Sequence, residues 1–371
     1  MPGGSRWLRS IAHYRDDAVS FLRQYFASPD RTCLIVAGAG FDPRSATVPK
    51  LLSAVMGARL SAVFIREERP NPDTDLVLRA DEHARDLAAM VNSASIIDVS
   101  VLEADNAVVG GRRAVQKIAG VSLKGFTDVV LDMSALSVGV AYPVADLLLG
   151  RCHTIGVEPN LHVVVASHPQ LETAITSVPN DVVDAVHGFS GTIDLEESEE
   201  EHKVWMPHLA HRRGPVLQLI RDKLRGPVDV CPVLPLSERE PRNADQLISE
   251  YEQELYEEWE VDPRNLVYAV EDDPLDLYRT ISDIHRRLLG TFAGVTPWHI
   301  VLSPLGSKVL AIGSLMAAIE HRLPVRYVEA VAYHVDWPAV QMASHTESRL
   351  VHVWLHGRPY QPPAPATAAR T

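Results

Sequence analysis

Two loops place glycine beside charge where the chain turns into a helix. The first is Gly38-Ala39-Gly40-Phe41-Asp42-Pro43-Arg44, which follows the apolar run 32–37. Its glycines let backbone approach a ligand, and the first turn of the helix that follows favours an anion. Glu67 lies 27 residues beyond Gly40, at the end of the next apolar run, where an acid suits ribose hydroxyls. The third glycine of the dinucleotide fingerprint is missing, so a tight strand-to-helix turn is the competing reading. Asp42 suits a helix cap, and Pro43 a first helical turn. Arg44 has no such structural role. Its guanidinium suits bidentate phosphate or carboxylate binding, or a bridge to an acid such as Glu67 or Glu271.

The second loop is Ser303-Pro304-Leu305-Gly306-Ser307-Lys308, between an apolar run and an apolar helix. Small hydroxyls, a glycine and a lysine at a helix start make an anion cradle, without the spacing of an NTPase P-loop. The matching segment Asp132-Met133-Ser134-Ala135-Leu136-Ser137 lacks the lysine. One half of the chain is therefore expected to bind anions and the other to be more acidic. Glu240-Pro241-Arg242 repeats the acid-Pro-Arg pattern, and Glu271 and Asp273 repeat the acids at a strand exit. Arg44, Arg242, Ser307 and Lys308 are the expected phosphate ligands, with Glu67 and Glu271 on ribose or on the arginines. Gly38, Gly40, Ser134, Asp273, Ser303 and Gly306 complete the expected binding set. If chemistry occurs, Asp42, Asp132 and Glu240 are the acid–base candidates. Asp262-Pro263-Arg264 recurs in what reads as a helix-to-strand loop, so the tripeptide alone marks no site.

The elements that must position these loops follow from the pattern. Apolar runs at 32–37, 60–65, 96–102, 129–131 and 161–166 alternate with helical spacing at 47–57, 75–92, 108–119 and 138–149. The alternation resumes with strands at 228–234, 266–270, 300–302 and 325–328 and helices at 216–224, 243–259, 275–292 and 307–321. Such alternation predicts βαβ units, a parallel sheet and ligands outside the carboxyl ends of its strands. Residues 7–26 have helical spacing throughout.

The expected fold is α/β, two Rossmann-like parallel-sheet halves related by internal duplication. Asp42 to Glu240 and Glu67 to Glu271 are 198 and 204 residues apart, whereas Leu131 to Leu302 is 171, about one βα unit fewer. The expected division is 1–193 for the first half with its N-terminal helix, 194–202 for an acidic linker, 203–356 for the second half and 357–371 for a disordered tail.

Composition bounds the partners. The chain has 371 residues, of which 46% are hydrophobic, and 35 Lys+Arg against 48 Asp+Glu give a net charge of −13. That balance argues against a broad nucleic-acid surface, which needs excess cations, but not against a small anion in a pocket. The apolar stretch 138–149 is too short to span a bilayer and contains Asp146. Met1 to Ser10 lacks a signal-peptide core. Cys33, Cys152 and Cys231 form neither a disulfide framework nor a zinc pattern, so a reducing, cytoplasmic setting is expected. Histidines at 202, 208 and 211, and at 352 and 356, complete no metal motif, and the latter pair alternates as on a strand.

The stretch Leu302-Ser303-Pro304-Leu305-Gly306-Ser307-Lys308-Val309-Leu310-Ala311-Ile312-Gly313, with Pro324-Val325-Arg326-Tyr327-Val328, resembles the CRISPR-associated Rossmann-fold (CARF) sensor domain. Gly306, Ser307 and Lys308 fit that family's loop, whereas Pro304-Leu305 departs from its usual glycine. The resemblance implies binding, and in some members cleavage, of a cyclic oligonucleotide across a two-fold interface, which two fused halves could imitate. It also implies a sensor or subunit in a prokaryotic antiviral defence or signalling system, with the effector carried by a protein partner. Residues 38–44, with Glu67, are similar to the first motif of S-adenosylmethionine-dependent methyltransferases, which implies that cofactor as the alternative to a nucleotide ligand. A non-catalytic assembly subunit with an empty cleft is the third reading.

Overall fold

The computed structural model describes residues 6–7, 9–154, 159–191, 200–292, 298–343 and 346–360. The expected linker at 194–202 and tail at 357–371 fall mostly outside them. The chain opens with β1 (Ile11–Tyr14) and α1 (Arg15–Ala27). Five strands and four helices then alternate: β2 (Cys33–Gly38), α2 (Thr47–Met56), β3 (Leu60–Glu68), α3 (Thr74–Ala89), β4 (Ser93–Ser100), α4 (Gly110–Ala119), β5 (Asp128–Asp132), α5 (Val138–Thr154) and β6 (Asn160–Ser167). A short α6 (Pro169–Ala174) leads into β7 (Ile175–Ala185).

The second series is β8 (His202–Pro207), α7 (Gly214–Lys223), β9 (Val228–Val230), β10 (Val233–Leu236), α8 (Asn243–Glu250), β11 (Val267–Val270), α9 (Pro274–Phe292), β12 (Trp298–Ser303) and α10 (Lys308–His321). The chain ends in β13 (Arg326–Val335), α11 (Trp337–Ala343) and β14 (Arg349–His356).

The first sheet has seven strands in the order β1-β14-β6-β5-β2-β3-β4. β4 to β6 are parallel, and β14 and β1 add antiparallel. In the second series β12 and β8 are parallel, as are β10 and β11. Single parallel bridges, His208 to Val233 and Leu302 to Val325, join these pairs into the order β11-β10-β8-β12-Val325. β9 runs beside the start of β8, and β10 continues past Pro232, which cannot donate to a ladder. Both series therefore share one strand order, with the first strand beside the fourth, a Rossmann-like α/β arrangement.

That order moves the sequence equivalences by one strand. β8 occupies the place of β2, so Val233–Leu236 corresponds to β3 and Val267–Val270 to β4, while the match of 129–131 with 300–302 stands. The unit at 96–121 has β11 and α9 as its counterpart, so no βα unit is missing. The turn at the position of Gly38–Arg44 is instead the one after β8, residues 208–213.

Three further corrections follow. β14 lies in the first sheet, so 349–356 does not belong with the second half. All eight residues of β6 are buried, which requires a strand on its outer side, and the alternating 349–356 supplies it. The helical spacing from residue 7 hides β1, which pairs with β14 before α1 begins. The long helix expected over 243–259 ends at Glu250 and resumes as a π-helical turn, Glu254–Glu258.

β7 and β13 form an antiparallel ribbon, with register shifts around Glu329. α5 and α10 are predominantly apolar because most of their length is buried, although α5 exposes Asp146. All of Val309–Ala318 is buried, and the Tyr142 hydroxyl of α5 donates to the Ala311 carbonyl (2.5 Å). Cys33 and Cys152 are buried free thiols and Cys231 is half-buried.

Candidate functional site between the two sheets

The carboxyl ends of both parallel sheets open onto one cleft of about 1460 Å³. The β7–β13 ribbon forms part of its wall through Thr176, Ser177, Tyr327 and Tyr333. In each half the strand order reverses between the first and fourth strands, and the loops leaving those strands face the cleft. Parallel α/β sheets bind ligands at such switch points.

In the first half the two loops close against each other. A Cβ on Gly38 would lie 3.1 Å from the Ala135 backbone, so this glycine serves loop packing and does not line the cleft. Gly40 does line it, with open space around a would-be Cβ. Asp42 caps the 3-10 turn Pro43–Ala46 by accepting from the Arg44 amide (2.9 Å), as the Asp-Pro spacing predicts. Its carboxylate also takes the Arg44 guanidinium at 2.6 Å, and Arg44 Nη1 reaches Glu172 at 2.8 Å. Burial opposes the charge on Arg44, but Asp42 and Glu172 outweigh it and raise its pKa.

Glu67 is likewise committed. Its Oε1 accepts from the Ser137 amide (2.8 Å) and its Oε2 from Arg69 (2.9 Å). Arg69 also donates to Glu329 and to the Tyr333 hydroxyl (both 3.2 Å) and to the Ala330 carbonyl (2.9 Å). Glu329 is buried at the register shift of β13, where an irregular strand re-aims a side chain. Burial raises its pKa, against the pull of Arg69.

Asp132 is also buried, behind Ser134, and does not itself line the cleft. Its Oδ1 accepts from the Ser134 amide (2.9 Å) and from the Ser134 hydroxyl. Among the described residues its Oδ2 has no hydrogen-bond partner, and burial pushes the carboxyl up to about 7. Ser134 is buried at the lining of the cleft, and its hydroxyl accepts from the Ala166 amide (2.7 Å).

The second half presents cations. Ser307 caps α10 by accepting from the Val309 amide (3.1 Å), and Gly306, Ser307 and Lys308 all line the cleft. Lys308 crosses to the first half, where its ammonium donates to the Leu136 carbonyl. Burial lowers its pKa, and Arg44 adds to that effect. On the neighbouring loop, Arg212 and Arg213 line the cleft at the start of α7, and Arg213 donates to the Ser177 hydroxyl (2.6 Å). His208 lies beneath the Gly306 turn: a Cβ on Gly306 would sit 3.4 Å from that of His208.

The cleft thus gathers Gly40, Asp42, Arg44, Glu67, Ser134, Glu240, Glu271, Gly306, Ser307 and Lys308 from the sequence-predicted set. Burial raises the pKa of Glu271. Five others stand elsewhere, the buried Asp132 among them. Arg242 is exposed and does not line the cleft, although Glu240 and Asn243 of the same loop do. Asp273 caps α9 through the Leu275 amide (2.9 Å) and accepts from Tyr14 (2.7 Å). Ser303 is buried and accepts from the Trp205 indole (2.9 Å). Gly38 is taken up by the Ala135 contact described above.

Sequence reasoning missed Arg69, Glu172, Arg212, Arg213 and Glu329. The pair Arg212-Arg213 had a usable signal, since it follows a strand and precedes Gly214-Pro215 at a helix start. Among the described residues, no group of three or more His, Cys, Asp and Glu side chains is placed to hold a metal ion. Nor, among them, is any helix long and apolar enough to cross a membrane.

No family model matches the chain, and no curated protein matches it. Solved structures show slight similarity, two of them as follows. One is the cytoplasmic domain of a prokaryotic cation chloride cotransporter, 8% identical, covering 81% of this chain and 96% of that one, with a TM-score of 0.25. The other is a putative universal stress protein from Pseudomonas aeruginosa UCBPP-PA14, 11% identical, covering 86% and 99%, with a TM-score of 0.23. At TM-scores this low, neither likeness bears on function.

Proposed function

We propose that the chain binds a phosphate-bearing nucleotide in the cleft between its two halves. The carrying observation is the pair of switch-point loops on the second half, which brings Arg212, Arg213 and Lys308 to one wall. The side-chain hydrogen bonds of Arg213 and Lys308 go to a serine hydroxyl and a carbonyl, both neutral acceptors. The cations of the opposite wall, Arg44 and Arg69, are held by carboxylates. An incoming phosphate therefore finds charge on the second half without displacing an ion pair. The acids and hydroxyls of the first half suit the sugar and base. The volume exceeds the roughly 300–1,000 Å³ usual for small-molecule sites, which leaves room for a ligand larger than a mononucleotide.

Thermal-shift and calorimetric titration with ADP, NAD, a cyclic oligonucleotide and S-adenosylmethionine tests this reading. A phosphate-bearing ligand should raise the melting temperature as RT ln(1 + [L]/Kd) requires. Lys308→Ala and Arg213→Ala should each weaken binding about tenfold or more, as loss of a charge-assisted contact does. Unchanged affinity in both variants refutes the assignment. Stabilisation by S-adenosylmethionine alone, lost in Gly40→Val, would replace it with a methyltransferase-like reading. Open space at Gly40 lets that variant fill the cleft without disturbing the fold.

A further inference from the structure

His208 carries a polar atom that the fold leaves unused. The side chain is 1% exposed, yet it lines the cleft at the second half's switch point. Its Nε2 lies 2.9 Å from the Ser314 hydroxyl of α10, and among the described residues its Nδ1 has no hydrogen-bond partner. A serine inside a helix ordinarily turns its hydroxyl to the carbonyl four residues back. Ser314 does not: among the described residues its one hydrogen-bond partner is His208. Either arrangement leaves one buried donor without an acceptor, at a cost of about 1–3 kcal/mol: the Ser314 O–H, on a residue that does not line the cleft, or a ring N–H on His208, which does. A ligand in the cleft can relieve only the second, so in the ligand-binding arrangement the hydroxyl hydrogen goes to Nε2. Nε2 is then the acceptor and the ring hydrogen sits on Nδ1. Burial holds the imidazole neutral, with its pKa down at about 3.

A buried N–H with no acceptor costs free energy unless a ligand supplies one. His208 sits under the Gly306 turn, with its Cβ 3.4 Å from a would-be Cβ of Gly306, at the loop that starts α10 and carries Lys308. We propose that His208 Nδ1–H, together with Lys308 and the amino end of α10, forms a phosphoryl-binding subsite in which His208 is the neutral, directional donor. The inference rests on the nucleotide reading above and names the group of that ligand which docks on the second half. Division of roles is physical: Lys308 supplies charge without fixed direction, and the imidazole supplies direction without charge. Because His208 stays neutral through the range where free histidine titrates, its donor capacity does not change between pH 5 and 8.

Two measurements decide it. In ¹⁵N-histidine-labelled wild-type protein without ligand, nitrogen shifts should report the Nδ1–H tautomer for His208; an Nε2–H tautomer overturns the proposal. The Nδ1 resonance should then move on addition of ADP or inorganic phosphate. Affinity for ADP is compared in His208→Asn, whose amide nitrogen falls near the Nδ1 position, and His208→Gln, whose polar end falls near Nε2. His208→Gln should bind about 10- to 100-fold more weakly, while His208→Asn stays within about threefold of wild type. If wild type binds ADP and both variants bind it equally well, the His208 subsite is overturned and the nucleotide reading stands. If wild type binds neither ADP nor phosphate nor any other nucleotide, both fall. The tautomer measurement uses wild-type protein, so it decides even where a variant fails to fold.

Discussion

Replacing Asp132 by Asn should change the pH dependence of stability more than stability itself. Asp132 sits 1% exposed at the end of β5, with Oδ1 satisfied by Ser134 and Oδ2 without a hydrogen-bond partner among the described residues. Burial pushes its carboxyl up to about 7, against about 3.9 in an unfolded chain. Between those values the folded protein holds a proton that the unfolded chain has released. Stability from this group is therefore complete below about pH 4 and is lost as pH rises through 7. The gap of about three pH units, at about 1.4 kcal/mol each, amounts to roughly 4 kcal/mol. An asparagine keeps the oxygen that Ser134 needs and cannot titrate. The stability of wild type minus that of Asp132→Asn should then grow by about 4 kcal/mol from pH 8 to pH 4. Urea denaturation of both proteins at fixed ionic strength measures it, and the subtraction removes every other titrating group. A difference flat to within about 1 kcal/mol across that range would refute the burial argument.

Two other perturbations test the scaffold. Asp128 at the start of β5 accepts from Arg31, Tyr25, Thr127, Asn160 and His162, and His162 continues to His352 and His13 through ring nitrogens 2.9 Å apart. Asp128→Asn leaves Arg31 and these donors without their charge and should cost about 3–5 kcal/mol in urea denaturation, with ADP affinity unchanged because the chain lies at the end of the strand away from the cleft. A loss below about 1 kcal/mol contradicts it. At Gly313, a Cβ would run into the Pro274 carbonyl where α10 crosses α9. Gly313→Ala should lower the melting temperature, by about 1–3 kcal/mol of overpacking against at most about 1 kcal/mol gained in helix propensity; an unchanged or raised melting temperature would show that the helices can separate freely.

What could be read from the sequence divides along physical lines. The central strands were legible because a strand buried on both faces must be apolar throughout, as Cys33–Gly38 and Asn160–Ser167 nearly are. Helices α2 and α9 were legible from amphipathic spacing, and the Ser307 cap from its hydroxyl before an apolar run. The order in which strands join a sheet leaves no such trace. β14 alternates as any half-buried strand would, and nothing local says that it returns to the first sheet across 182 residues from β6. Position in the sheet, in turn, decides which loops meet. Arg242 and Arg213 both follow strands and open helices, and nothing local says that Arg213 lines the cleft while Arg242 stands outside it, beside Glu240, which does line it. The Arg69–Glu329 pair, 260 residues apart, depends on the β7–β13 ribbon and its register shifts.

Charge alone would not have distinguished the two walls. Both halves bring cations and acids to the lining of the cleft, and the chain as a whole is acidic. The difference lies in what those groups already bond. Asp42, Arg44 and Glu172 satisfy one another, as do Glu67, Arg69 and Glu329, and each pairing is anchored by a backbone group, the Arg44 amide or the Ser137 amide. To bind through these arginines, a ligand would have to break buried ion pairs, which leaves an uncompensated carboxylate and costs about 3–5 kcal/mol. Lys308 and Arg213 need give up only a neutral acceptor, and His208 Nδ1 gives up nothing. Two sheets with the same strand order thus end in walls of different chemical availability. The cause is the partner that the fold assigns to each charge, since both walls carry cations.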